Sequence, residues 1–229
     1  MADYKDIKGG TVQNFAGDPP APIAGQVWYD SAAAAFQFRT SNPAGAWATG
    51  NNMNTARVFI AGVGTQTAAL AFGGTAPPIK DEAESYNGSA WSEVGDLNTG
   101  RFALAGAGVS TAALAFGGTS SSATNESWNG SSWTEVADLN TGREALSGAG
   151  TNTAALAFGG TPPATGKTES WNGTSWTEVA DLTTARDGLG GAGTNSSALA
   201  FGGGDAVPVK NATEEFTSPL ESTKTVDTD

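Results

Sequence analysis

The chain has 229 residues, with 11 Lys and Arg, 23 Asp and Glu, a formal net charge of −12, no His and no Cys. Those zeros exclude a disulfide framework, a thiolate nucleophile, a Ser-His-Asp triad, His- or Cys-ligated metals and a histidine pH switch, while leaving carboxylate-pair catalysis and oxygen-ligated cations open. The negative field repels polyanions, so no nucleic-acid partner is expected, and no apolar run of about 18 residues predicts membrane insertion. With charged residues at only 15%, the surface must be largely Ser, Thr, Asn and Gly.

Residues 1–24 carry Gly9-Gly10 and Pro19-Pro20-Ala21-Pro22 with little apolar periodicity. Proline disfavours both helix and central strand, so the segment predicts an extended N-terminal arm, a disordered terminus being the alternative. The N-terminal segment lacks a basic region followed by an apolar core, so no secretory signal is expected. Asp3-Tyr4-Lys5-Asp6 matches the opening of an epitope tag without its acidic continuation and is read as native. Residues 25–56 hold Gly25-Gln26-Val27-Trp28-Tyr29-Asp30, then Phe36-Gln37-Phe38, then a short strand around Trp47. Residues 217–229 form a C-terminal tail.

Between them, residues 57–216 repeat. Trp47, Trp91, Trp133 and Trp176 recur at steps of 44, 42 and 43, and Arg57, Arg101, Arg143 and Arg186 each follow ten residues later. Phe72, Phe116, Phe158 and Phe201 each close an Ala/Leu run and precede Gly-Gly. Within one unit, Ala112-Ala113-Leu114-Ala115-Phe116 reads as a strand with Leu114 and Phe116 on one face and Ala113 and Ala115 on the other. The stretch Glu126–Val136 reads as a hairpin turning at Asn129-Gly130, with Asn87-Gly88 and Asn172-Gly173 equivalent. The stretch 143–150 reads as a further strand of small residues. Four short strands in about 43 residues, repeated four times, predict an all-β chain and a β-propeller, with an open β-solenoid as the alternative.

The order of Gly-Gly after an apolar strand, an aromatic in the next strand and a spaced Trp resembles kelch-type repeats, over residues 57–216 and part of 44–56. The wording T-x-T-A-A-L-A-F-G-G with T-E-S-W-N-G-[ST]-S-W-T-E-V-x-D-L-N-T-x-R resembles virion structural proteins of tailed phages from marine environments. The segment Gly25–Asp30 followed by Phe36–Phe38 resembles a short hairpin near the start of phage fibre and decoration proteins. The fourth unit, begun at Arg186, lacks a Trp strand, so the Trp47 strand is expected to complete it and close four blades. A fifth, shortened blade built from residues 26–40, the Trp47 strand and Thr223–Val226 is the alternative.

The recurring charges, Arg57, Arg101, Arg143 and Arg186 with Glu84, Glu126, Glu169 and Glu214, are read as ion pairs fixing strand register rather than as a ring for an anion or sugar. Asp96, Asp138 and Asp181 are read as caps of their own loops, without an EF-hand or nonapeptide calcium pattern. Trp91, Trp133 and Trp176 are read as blade core rather than a sugar platform. Trp28 and Tyr29 stand outside the repeat and are the candidates for a special ligand contact. Asn87, Asn129, Asn172 and Asn211 match N-x-[ST], the first three serving as turns, with glycosylation not expected. The loops 75–83, 119–125, 161–168 and 204–213 vary while the framework does not, so they are where binding specificity is expected.

The resemblance implies a non-enzymatic virion structural protein, a tail-fibre, appendage or capsid-decoration component, made in the host cytoplasm and carried on the particle surface. Its arm would dock on other virion proteins, and it would be a homo-oligomer. A host-surface glycan-binding adhesin is the alternative, and a propeller enzyme a third class. No cofactor or metal is expected.

Overall fold

A computed structural model describes residues 13–16, 27–38, 48–204 and 211–218. Among them there are 18 strands and no helix. The chain divides into two compact units, residues 1–49 and 50–229.

The first unit is a three-stranded sheet. β1 (Gln13–Phe15) pairs in parallel with β2 (Val27–Asp30), which pairs antiparallel with β3 (Ala35–Phe38). One Asp30 carboxylate oxygen accepts hydrogen bonds from the Ala32 and Ala33 amides at 2.9 and 3.1 Å, which caps the turn between β2 and β3. The predicted arm thus contributes a strand at 13–15. Its other residues except Ala16 lie outside the described residues, as do Trp47 and Thr223–Val226.

The second unit is four small antiparallel sheets arranged as a four-blade β-propeller. Blade one is β4 (Ala61–Thr65), β5 (Ala68–Phe72), β6 (Ala83–Tyr86) and β7 (Trp91–Glu93). Blade two is β8 (Ala105–Val109), β9 (Ala112–Phe116), β10 (Asn125–Trp128) and β11 (Trp133–Val136). Blade three is β12 (Ser147–Gly150), β13 (Ala155–Phe158), β14 (Thr168–Trp171) and β15 (Trp176–Glu178). Blade four, among the described residues, has β16 (Gly190–Gly193), β17 (Ser197–Phe201) and β18 (Thr213–Thr217). The described part of the residue-26–40 hairpin, β2 and β3, belongs to its own sheet, and the propeller has four blades.

The first strand of each blade is innermost, β4 packing on β8, β8 on β12 and β12 on β16. These strands are mostly Ala and Gly, with Val63, Thr65, Val109 and Ser147 the exceptions, because neighbouring sheets meet closely there. The sequence predicts a strand from Arg143 onward, but the strand starts only at Ser147. Arg143 is buried and Ala145 has φ +52°, a left-handed turn that no strand can contain. Phe59, Ala103 and Gly188 stand at the same place with φ +55°, +53° and +58°. Their backbones form a ladder between blades: the Ala103 N–H donates to Phe59 O, Ala145 to Ala103 and Gly188 to Ala145, at 2.8 to 3.0 Å.

One packing rule builds all three blade interfaces. Leu and Phe of one β-strand face the thin Ala face and the two aromatics of the next blade. Leu70 and Phe72 cluster with Ala113, Ala115, Trp128 and Trp133. Leu114 and Phe116 cluster with Ala155, Ala157, Trp171 and Trp176. Leu156 and Phe158 cluster with Ala198, Ala200 and the partly buried Phe216. The two-sided apolar strand read from sequence is therefore one sheet serving two interfaces.

The phenylalanine tip needs a glycine opposite. A Cβ built on Gly106, Gly148 or Gly191 comes within 2.7, 2.6 and 2.6 Å of the Cζ of Phe72, Phe116 and Phe158. Gly148→Ala must therefore push two sheets apart and is expected to destabilise the propeller by about 1–3 kcal/mol, the usual range for overpacking. At the equivalent Gly62 a Cβ meets nothing nearer than Leu70 O at 3.6 Å, so in a single copy Gly62→Ala is expected to change the stability little. Equal losses at both sites, measured by denaturant melts, would contradict the rule.

Candidate functional site

Antiparallel order within each blade places its connections on two rims. The β4–β5 and β6–β7 hairpins and their equivalents lie at one end. The Gly-Gly loops after β5, β9, β13 and β17 lie at the other, with the crossings that lead into the next blade. Among the described residues the hairpin rim is built from Thr65-Gln66-Thr67, Asn87-Gly88-Ser89, Ser110-Thr111, Asn129-Gly130-Ser131-Ser132, Thr151-Asn152-Thr153, Asn172-Gly173-Thr174-Ser175 and Thr194-Asn195-Ser196, without one charged side chain. Asn129 Oδ1 accepts from the Ser131 and Ser132 amides, both at 2.9 Å, and Asn87 and Asn172 hold their turns likewise. Sequence reading treated these turns one by one. The uncharged rim becomes visible only when the antiparallel order gathers them.

The opposite rim carries the recurring charges, and they point inward. Arg57, Arg101, Arg143 and Arg186 pair with Glu84, Glu126, Glu169 and Glu214 at 3.0, 2.8, 2.5 and 3.0 Å. Arg101 also donates to the carbonyls of Gly117, Thr124 and Ala115. Burial pushes the Arg101 guanidinium below its usual range, and Glu126 pulls it back. The carboxylates accept a second set of donors from the crossing loop of the preceding repeat. Glu126 takes the Asn98 amide and side chain at 2.7 and 2.8 Å, and Glu169 takes those of Asn140 at 2.7 and 2.9 Å. The same asparagines donate to Trp133 O and Trp176 O, so the Asn-Thr motif stitches one blade's exit to the next blade's outer strand. Asn54 does this to Glu84 and Trp91 O, which ties residues 50–57 to blade one. Thr183 stands at this place before blade four, which among the described residues has no Trp strand to reach.

Asp96, Asp138 and Asp181 cap something other than their own loops. Each accepts from the first amide of a strand 13 residues back, Ala83, Asn125 and Thr168, at 3.2, 3.2 and 3.0 Å. The Asp side chain satisfies the N–H at the start of the third strand of the blade. Sequence spacing alone gave no hint of this partner, because a local Asx turn uses the same residue type. Among the described residues no group of three or more acidic side chains is disposed to hold a metal ion.

Trp133 and Trp176 lie against Phe72 and Phe116 of the preceding blade, ring centroids 4.9 and 5.1 Å apart. Trp91 is half-buried and stacks on Tyr86 at 5.1 Å. Trp28, a candidate for ligand contact, is buried in the first unit, and Tyr29 is half-buried, edge-on to the exposed Phe36 at 5.2 Å. In blade four a cavity of about 210 Å³ lies over Phe158, Ala198, Ala200 and Phe216, where the other blades seat a Trp of the fourth strand. The Trp47 strand expected there is outside the described residues.

The variable loops share more than their sequences suggest. Lys80 N, Ser122 N and Thr165 N donate to Gly74 O, Gly118 O and Gly160 O, and Lys80 O, Ser122 O and Thr165 O accept from Arg101, Arg143 and Arg186 N–H. Loops of different length thus converge on one anchor, leaving only their tips, 76–79, 120–121 and 162–164, free to differ. No protein-family model matches the chain, and no curated protein matches it.

Proposed function

We propose that this chain is a non-enzymatic structural protein of a tailed-phage virion, a fibre, appendage or capsid-decoration component presenting a kelch-like β-propeller for attachment or assembly. The observation that carries this reading is where the repeat's chemistry sits. Its recurring arginines, glutamates and the Trp133 and Trp176 rings are bonded or packed within the framework, and the loops of the first three blades share one anchor and differ at their tips, on one rim. That is the build of a scaffold for display. The repeat wording supports the virion assignment by resemblance. The N-terminal arm would tie the chain to other virion proteins, and the particle surface is its place after synthesis in the host cytoplasm.

A second reading is a host-surface glycan-binding adhesin. The uncharged hairpin rim favours it, since hydroxyl and amide groups there would hydrogen-bond neutral sugars. Gold labelling of purified particles with serum against this protein tests both. Label on the capsid supports decoration, label at fibre tips supports adhesion, and unlabelled particles reject the virion assignment. Exchanging the tip 120–121 for 162–164, with both anchors kept, is expected to move the unfolding midpoint by no more than about 3 °C while altering attachment. A collapse of stability would make the tips structural.

A further inference from the structure

The three blade interfaces follow one rule, and the propeller carries one unpaired copy of each half of it. On blade four, Leu199 and Phe201 are 40% and 44% exposed, whereas Leu70, Phe72, Leu114, Phe116 and Leu156 are fully buried. On blade one, Ile60 is 37% exposed although its equivalents Leu104, Leu146 and Leu189 are buried. Gly62, which stands where Gly106, Gly148 and Gly191 receive a phenylalanine tip, meets no side chain: a Cβ there reaches only Leu70 O, at 3.6 Å. It lines a groove of about 360 Å³ with Met53, Ile60, Val63, Ala69 and Trp91. Phe201 has no glycine of a next blade, and its ring lies back over Gly190 of its own sheet, where Ala61, Ala105 and Ser147 stand in the others.

The backbone bonds end in the same complementary way. Gly74, Gly118 and Gly160 donate across the interfaces to Arg101 O, Arg143 O and Arg186 O at 2.8 to 2.9 Å. Among the described residues, Gly203 N–H on blade four and Arg57 O on blade one are left without this bond. The left-handed ladder likewise stops at Gly188 O on blade four and Phe59 N–H on blade one. A Cβ on Gly73, Gly117 or Gly159 would meet a leucine of the next blade, while one on Gly202 meets nothing within 4 Å.

We propose that the Leu199–Phe201 face of blade four docks on the Ile60–Gly62–Trp91 face of blade one of a second copy of this chain. Phe201 swings off Gly190 into the Gly62 slot, a change between staggered rotamers. Gly203 N–H then meets Arg57 O, and Phe59 N–H meets Gly188 O, repeating the bonds of the internal interfaces. The contact is heterologous, head to tail, so copies close into a ring or extend as a filament according to the blade-to-blade rotation. It deepens the display reading by naming one assembly partner, yet stands without it, because it rests on packing within residues 57–204.

Light scattering coupled to size exclusion, on the full chain and three variant samples, tests this. Wild type is expected as a multimer. Phe201→Asp acts on an exposed side chain, and Gly62→Leu fills a slot that is empty within one copy, so each should stay folded by circular dichroism. Each is expected to weaken association by at least about 30-fold, the scale of an interface hot spot. Mixed in equal amounts they are expected to form dimers and nothing larger, since each retains one intact face. A monomeric wild type whose thermal midpoint falls on Phe201→Asp would overturn the proposal in favour of closure within one chain. Multimers that persist in both variants, or a mixture that stays monomeric, would overturn it as well. Failure of particle labelling, by contrast, would reject only the virion assignment.

Discussion

Arg143→Met is expected to lower the stability of the propeller by about 3–5 kcal/mol, the usual loss on removing one member of a buried ion pair. The Arg143 side chain donates to Gly159 O, Thr141 O, Ala157 O and Glu169 Oε1, joining the end of β13, the entering loop and β14. Methionine fills most of the volume but leaves Glu169 without its cation and takes one donor from each of three carbonyls. The Asn140 and Thr141 amides that still reach Glu169 soften the loss without removing it. Arg186→Met is expected to cost less, because Glu214 is partly exposed and water can take over. Replacing both partners, Arg143→Met with Glu169→Leu, should recover part of the deficit, since no charge remains buried. Urea melts of the three variants measure this. A loss below about 1 kcal/mol for Arg143→Met would mean the pair is dispensable.

Much of this framework is legible in the sequence, for a physical reason. Strand alternation is local: Leu114 and Phe116 must share a face once the segment is extended, and Asn129-Gly130 must turn. The pairing of each Arg with a Glu was readable because both recur in register. The choice of partner is not local. Asp138 bonds the Asn125 amide because the hairpin brings strand ends together, and spacing does not reveal that. Arg143 to Leu146 reads as strand by composition, yet Ala145 turns left-handed so that its amide can bond the neighbouring blade. Trp28 stood out because it lies outside the repeat, but an unrepeated aromatic in a small sheet is as readily its core, and it is buried. The variable loops of the first three blades read as wholly free, whereas one carbonyl in each of these three is held by the next arginine's amide; most of the loop 204–213 lies outside the described residues. Lastly, four equal repeats read alike, while the uncovered faces of the first and last blades come from position in the series and not from residue type.

Trp176→Ala is expected to cost about 3–5 kcal/mol, the range for truncating a large buried aromatic. The ring is 5% exposed, with Phe116 on one side and Trp171 at 5.3 Å on the other, so its loss opens the seam between blades two and three. In blade four, which among the described residues has no fourth-strand Trp, a cavity stands over Phe158. The side chain acts through shape and area, because its Nε1 makes no hydrogen bond, unlike Trp171, whose Nε1 donates to Asn152 O at 3.1 Å. Trp176→Phe should therefore lose well under half as much as Trp176→Ala, with no carbonyl orphaned by the change. Trp91→Ala on blade one should fall below both Trp133→Ala and Trp176→Ala in a single copy, since no phenylalanine of a preceding blade presses on it. Chemical denaturation followed by far-UV circular dichroism ranks the four. A Trp91→Ala loss equal to that of Trp176→Ala at concentrations where the chain is monomeric would mean that the indole stabilises its own sheet rather than the seam between blades.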